Sequence, residues 1–242
     1  KPRPRPATRL PWIRFPPPGQ FRNMADGRGA FHRQLFPLTW RDGRTEIPMR
    51  KIERENTGLM EPGQDLVAVG YAGSEGSAAI VRGRREELIS RFSEAYLEQA
   101  AGGFDWELPD QIRYWESLGA SEYEPAGEGG ILAALWRLSG AYSLGIEFSL
   151  RAIPLRQDTV EICEEYGLNP YRLLSGGCGV AAAANGGRLA ESLRREGIPA
   201  AVIGRVKRGI AREITGGETV GYLERPQEDE LKKVLPHWFD GE

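Results

Sequence analysis

Asp65-Leu66-Val67-Ala68-Val69-Gly70, followed by Ala72-Gly73-Ser74-Glu75-Gly76-Ser77, is the stretch from which the fold is read. The first six residues are a short, β-branched apolar run after the turn Glu61-Pro62-Gly63-Gln64. Such a run, bounded by turn residues, predicts a buried strand. It feeds a loop of small residues, and a helix is expected after it.

Working outward toward the C-terminus, strand and helix patterns alternate. Glu86 to Ala101 carries Leu88, Ile89, Phe92, Tyr96 and Leu97 at helical spacing. A helix is expected over Pro109–Leu118, entered at its proline. Another should open at Glu128-Gly129-Gly130 and run to about Tyr142. Gly145 to Leu150 alternates as a half-buried strand does. Asp158 is expected to cap a helix ending at Tyr166-Gly167. Then come Ser175-Gly176-Gly177-Cys178-Gly179, a strand over Val180–Ala184, a helix over Arg188–Glu196 and a strand over Ala200–Val206. Thr215-Gly216-Gly217 reads as a hairpin turn before Val220–Leu223. This alternation predicts an α/β (α+β) domain, a mixed sheet with helices packed on a face.

Toward the N-terminus the pattern dissolves. Residues 1–23 alternate proline with Lys1, Arg3, Arg5, Arg9, Arg14 and Arg22 and contain no acid, which reads as a basic, extended or disordered arm. The first methionine is Met24, so whether residues 1–23 are native stays open. Residues 24–57 read as an irregular extension, 58–226 as the folded domain and 227–242 as a C-terminal tail.

Composition narrows the function classes. With 40% hydrophobic and 27% charged residues and a net charge of -2, the chain has no global attraction to nucleic acid or anionic membrane. No apolar run reaches the ~18 residues a membrane helix needs, and no secretory h-region is present. A cytoplasmic protein is expected. Cys163 and Cys178 lack metal-ligand spacing and read as free thiols. Cys178, among glycines, is either a reactive thiol or a small buried hydrophobe. His32 and His237 both fall outside the expected core, which leaves no nucleophile–histidine pair to assemble there.

Glycine-rich segments at Gly73–Gly76, Gly127–Gly130 and Ser175–Gly179 remain as candidates for chemistry. Each is either a tight turn or a backbone cradle for an anion, and a helix N-terminus behind it would favour phosphate or carboxylate. Candidate ligand contacts are therefore Gly73, Glu75, Gly76, Glu128, Gly129, Gly130, Ser175 and Gly176. Glu75 and Glu128 are either helix-cap carboxylates or Mg²⁺ contacts; no dedicated metal site is read.

These loops carry a family resemblance. Asp65–Ile80, Arg91-Phe92-Ser93-Glu94, Glu128–Trp136, Gly145-Ile146-Glu147, Ile153–Cys163, Asn169-Pro170-Tyr171, Leu173–Ser175, Gly197–Gly204 and Glu224-Arg225-Pro226 follow one another in order. Together they resemble the C-terminal domain of the aminoimidazole ribonucleotide synthetase-like superfamily (PurM/HypE-like). Nearest are short bacterial proteins related to aminoimidazole ribonucleotide synthetase and to the hydrogenase maturation factor that dehydrates a carbamoyl group. The resemblance implies a PurM C-terminal-domain-like sheet. It also implies ATP and Mg²⁺ as cofactors, and activation of an amide or carbamoyl oxygen by phosphorylation. In that family an N-terminal domain supplies the Mg²⁺ ligands and builds the dimer.

Two departures follow. Upstream of Gly58 there is no room for that N-terminal domain. The family's Asp-x-Thr-x-Gly-Gly pattern here places Pro125 and Gly127 at its acidic and Thr positions, with Glu124 one residue displaced. The expectation is a truncated, catalytically incomplete relative. It would work as a homo-oligomer or with a separate N-terminal-type subunit. The alternative is a non-enzymatic interaction module using its basic arm.

Overall fold

The computed structural model describes residues 60–102, 106, 108–109, 112–216 and 220–240, all within the compact unit Glu46–Glu242. The arm and extension expected over residues 1–57 lie outside the described residues.

In chain order the elements begin with β1 (Asp65–Val69), α1 (Ser74–Gly83), α2 (Arg85–Leu88), α3 (Glu94–Ala101), α4 (Ile112–Ser117) and β2 (Ala120–Gly127). They continue with α5 (Gly130–Tyr142), β3 (Gly145–Phe148), α6 (Gln157–Tyr166), β4 (Ser175–Ala183) and α7 (Gly186–Arg195). The last are β5 (Ala200–Lys207), β6 (Arg212–Thr215), β7 (Val220–Tyr222) and a 3-10 turn, Glu230–Lys233. The seven strands form one sheet in the order β2-β4-β1-β5-β3-β6-β7. Its pairings are antiparallel apart from β3 with β6. This is the mixed α/β architecture predicted from the sequence.

Alternation along β1 explains the layering. Leu66 and Ala68 face one side with Val180, Ala182, Ile146 and Phe148, where Ile131, Leu135 and Leu138 of α5 pack. Val67 and Val69 face the other with Ala181 and Ala183, where Leu189 and Leu193 of α7 and Trp115 of α4 pack. Each fully buried large apolar side chain contributes about 1.5–3 kcal/mol. Both faces of the sheet are thus covered, where the sequence predicted one. A third cluster joins Ile80 of α1, Leu97 of α3, Ile162 of α6 and Leu173 to Leu231 and Val234 near the C-terminus.

Three elements differ from expectation. The helix expected over Glu86–Ala101 is two: α2 stops at Leu88, Ile89 is 50% exposed, and the Ser93 hydroxyl caps α3 by accepting from the Tyr96 amide. β2, where no element was expected, is an edge strand on β4, with Pro125 exposed. Proline is tolerated there because an outer edge asks for no ladder donor. The strand expected from Val180 begins at Ser175, so the third glycine-rich segment is itself strand. Residues 227–240, expected as a tail, contain the buried Asp229, Glu230, Leu231 and Val234.

Candidate functional site

The three glycine-rich segments converge at one end of the sheet. Pro170–Ser175 threads between the N-termini of α1 and α5, and the glycines on either side are placed where that backbone passes. A Cβ on Gly73 would lie 2.7 Å from the Pro170 carbonyl oxygen, and one on Gly130 would lie 2.5 Å from that of Tyr171. One on Gly76 would meet Leu173 Cγ at 2.5 Å. Real Cβ atoms do not approach so closely, so small residues here permit the crossing. β2 contributes by register: Gly127 pairs with Ser175, which brings Glu128 and Gly129 beside the start of β4.

The donors of this cradle are engaged from within. The Gly73 amide donates to Ser175 Oγ at 2.7 Å, and that hydroxyl donates to the Leu173 carbonyl at 2.7 Å. The Gly76 amide reaches the Leu174 carbonyl at 2.9 Å. The Gly176 amide donates to Glu75 Oε2 at 2.7 Å. The Gly129 amide donates to Asp229 Oδ2 at 2.6 Å. Gly73, Glu75, Gly76, Ser175 and Gly176 therefore form one bonded group around α1. The Gly129 amide, bonded to Asp229, stands apart at α5, with Gly130 packed against the Tyr171 and Leu173 carbonyls. Glu128 joins neither: its side chain is 58% exposed and lies 3.9 Å from Lys232 Nζ.

Asp229 is the site residue that sequence reading missed. Asp229 is 2% exposed, and its carboxylate accepts from Gly129, Leu174 (3.2 Å to Oδ1) and Leu231 (2.9 Å to Oδ1). Burial pushes its pKa up from the usual carboxylate value, while the three amide hydrogen bonds hold it down. The available signal was an aspartate before an apolar-spaced Leu231 and Val234, the pattern of a helix cap.

The positions that depart from the family pattern are accounted for locally. Glu124 Oε1 accepts from Arg137 Nε at 2.6 Å, and Arg137 also donates to the carbonyls of Pro125 and Ala126. Arg137 of α5 therefore pins β2. Among the described residues no group of three or more His, Cys, Asp or Glu could hold a metal ion. Cys178 and Cys163 are buried, and burial pushes both thiols up to about 12. Such thiols stay neutral and unreactive at neutral pH. His237 is exposed and within 2.8 Å of Asp240, and His32 lies outside the described residues. Among those residues no helix is long and apolar enough to cross a membrane.

Beside Gly129 lies a dent lined by Leu132, Ala133, Arg172 and Leu223–Gln227. Its cavity volume of ≈ 10 Å³ holds about one water molecule. The amides of Gly73, Gly76, Gly129 and Gly176 are bonded within the chain, so a nucleotide phosphate would have to displace those bonds to use them.

Compared with family models and with curated proteins, the chain matches none. Among solved structures it is similar to HypE from E. coli, a hydrogenase maturation protein, with 21% identity and a TM-score of 0.55 over 74% of this chain and 55% of that one. It is also similar to a HypE–HypF complex, with 20% identity and a TM-score of 0.54 over 69% and 54%. HypE in complex with ATP matches with 19% identity and a TM-score of 0.54 over 72% and 53%. The fold implied by the resemblance in the sequence is the fold found. The chain spans about half the length of these solved structures.

Proposed function

We propose that this chain is a catalytically incomplete, second-domain relative of the HypE-type ATP-dependent enzymes. In this reading it works as one part of an assembly whose other part supplies the metal ligands and most of the phosphate contacts. The other part is either a separate N-terminal-type subunit or a second copy that completes the site, in the cytoplasm and without membrane or nucleic acid. The observation that carries the proposal is the internal engagement of the Gly73, Gly76, Gly129 and Gly176 amides. A domain that uses its own carboxylates and carbonyls on these donors gains little by binding nucleotide alone, because each new contact replaces an existing one.

The test is isothermal titration of the chain with Mg·ATP. No saturable heat at millimolar ligand is the expected result. Saturable binding by the isolated chain, lost in Gly129→Asp, would overturn the proposal and make the chain a nucleotide-binding protein in its own right.

A second reading, a scaffold without any ATP chemistry, draws support from the outermost strand. Val220 and Tyr222 of β7 are 58% and 66% exposed on a sheet edge that is unpaired among the described residues. Such an edge is a ready template for another chain.

A further inference from the structure

The two edges of the sheet are built differently. At one, β2 carries Pro125 with Glu122 and Glu124, and its register on β4 shifts twice. Proline, charge and bulges keep an edge from pairing with another chain. At the other, β7 is Val220-Gly221-Tyr222, with no proline, no charge and no shift in its register on β6. It pairs with no further strand among the described residues. The ladder shows which of its backbone groups point outward. The Leu223 amide donates to the Arg212 carbonyl at 2.8 Å, so residue 223 turns its polar groups toward β6. Alternation then turns those of Gly221 the same way, and those of Val220 and Tyr222 toward the open edge. Val220 and Tyr222 lie opposite Thr215 and Glu213, so both exposed side chains share one face of the sheet.

A three-residue strand with glycine at its centre is self-complementary. A twofold axis through Gly221 sets Val220 of one copy against Tyr222 of the other, on both sides of the axis. Each such pair exchanges two backbone hydrogen bonds and joins a β-branched to an aromatic side chain, a favourable cross-strand match. The two glycines meet at the closer, non-hydrogen-bonded position, where no side chain obstructs them. The strand is uncharged, so within it the two copies bring no like charges together. We propose that β7 is the contact between two copies of this chain, paired antiparallel about Gly221 into one continuous sheet. The inference rests on the open edge of the scaffold reading and is independent of any ATP chemistry. Three residues a side bury less than the ~800 Å² per partner of a standard interface, so the dimer is weak and depends on concentration.

Sedimentation equilibrium of the full chain, from micromolar to millimolar protein, measures the association, and two double variants test its register. Val220→Lys/Tyr222→Lys puts like charges opposite each other across the axis and should weaken the dimer roughly tenfold or more. Val220→Glu/Tyr222→Lys puts opposite charges there and should restore it to within about threefold of wild type. Within each copy these positions face Thr215 and Glu213, so both variants suit the β6–β7 pair equally well. A wild type monomeric at millimolar concentration overturns the contact. So does a dimer that the Lys/Lys variant leaves intact, or a Glu/Lys variant as weak as Lys/Lys. Amide hydrogen exchange of wild type gives a readout free of any substitution. Protection of the Val220 and Tyr222 amides should rise with protein concentration. Protection that is constant with concentration would mean that the chain covers this edge itself, and would also overturn the contact. None of these outcomes bears on the Mg·ATP titration, and neither result of that titration alters the contact.

Discussion

Gly127 and Gly130 stand three residues apart, and both hold φ in the left-handed region, at +61° and +67°. They differ in what a side chain would meet. Nothing lies within 4 Å of a Cβ on Gly127, whereas one on Gly130 would lie 2.5 Å from the Tyr171 carbonyl oxygen and 2.8 Å from that of Leu173. Gly127→Ala should therefore cost only the backbone strain, about 1 kcal/mol. Gly130→Ala adds a collision with main chain and should cost about 3 kcal/mol or more. Urea unfolding of the two variants checks this, and equal costs would mean that the crossing of residues 170–174 is loose. At this scale the sequence revealed which residues matter but not how they are used. The glycines were legible as a set. That the amides of Gly73, Gly129 and Gly176 are engaged inside the chain was not, because the acceptors Ser175, Asp229 and Glu75 are about a hundred residues away in sequence.

Among the elements, the third hydrophobic cluster decides whether the C-terminal segment belongs to the domain. Leu231 is fully buried against α1, α3 and α6 with Ile80, Leu97, Ile162 and Leu173. Leu231→Ala should lower stability by about 2–5 kcal/mol, measured by urea unfolding. A loss under about 0.5 kcal/mol, ordinary for a surface position, would return residues 227–240 to the status of a tail. The elements that sequence reading missed were lost for different reasons. In β2 the buried residues Ala120, Tyr123 and Ala126 recur every third position, because the register shifts between Ala120 and Glu122 and again between Pro125 and Gly127. A strand that bulges twice shows no period of two, so a period search passes over it. The single helix expected over Glu86–Ala101 failed differently. Its apolar spacing survives the break, and only the Ser93-Glu94 cap marked the second start.

Taken as a whole molecule, the chain closes both thiols inside separate clusters, Cys178 against α5 and Cys163 against α1 and α3. Burial holds each thiol up at about 12, above an unfolded value of about 8.5. The folded state thus favours the protonated thiols. Their contribution is complete below the unfolded value and is lost as pH rises toward the folded one. Between about pH 8 and 9, where nearly all tyrosine is still neutral even in the unfolded chain, the urea midpoint should begin to fall. A Cys163→Ala/Cys178→Ala variant should show a shallower fall over the same window. A slope unchanged in the variant would mean that the thiols are accessible to water in the folded protein.

The place of β1 bears on how the molecule is made. Of the described strands it is the first to be synthesised, yet it lies between two late ones: Asp65 pairs with Ala183 on one side and with Arg205 on the other. Neither neighbour exists when β1 leaves the ribosome. Its apolar residues Leu66, Val67 and Val69 must wait, unpaired, through the synthesis of most of the domain. Contacts this distant in sequence form slowly, and a bare strand invites aggregation until they do. The sheet is in effect assembled from its middle by the last third of the chain, so nascent chains stalled before Lys207 would carry β1 as an exposed sticky segment.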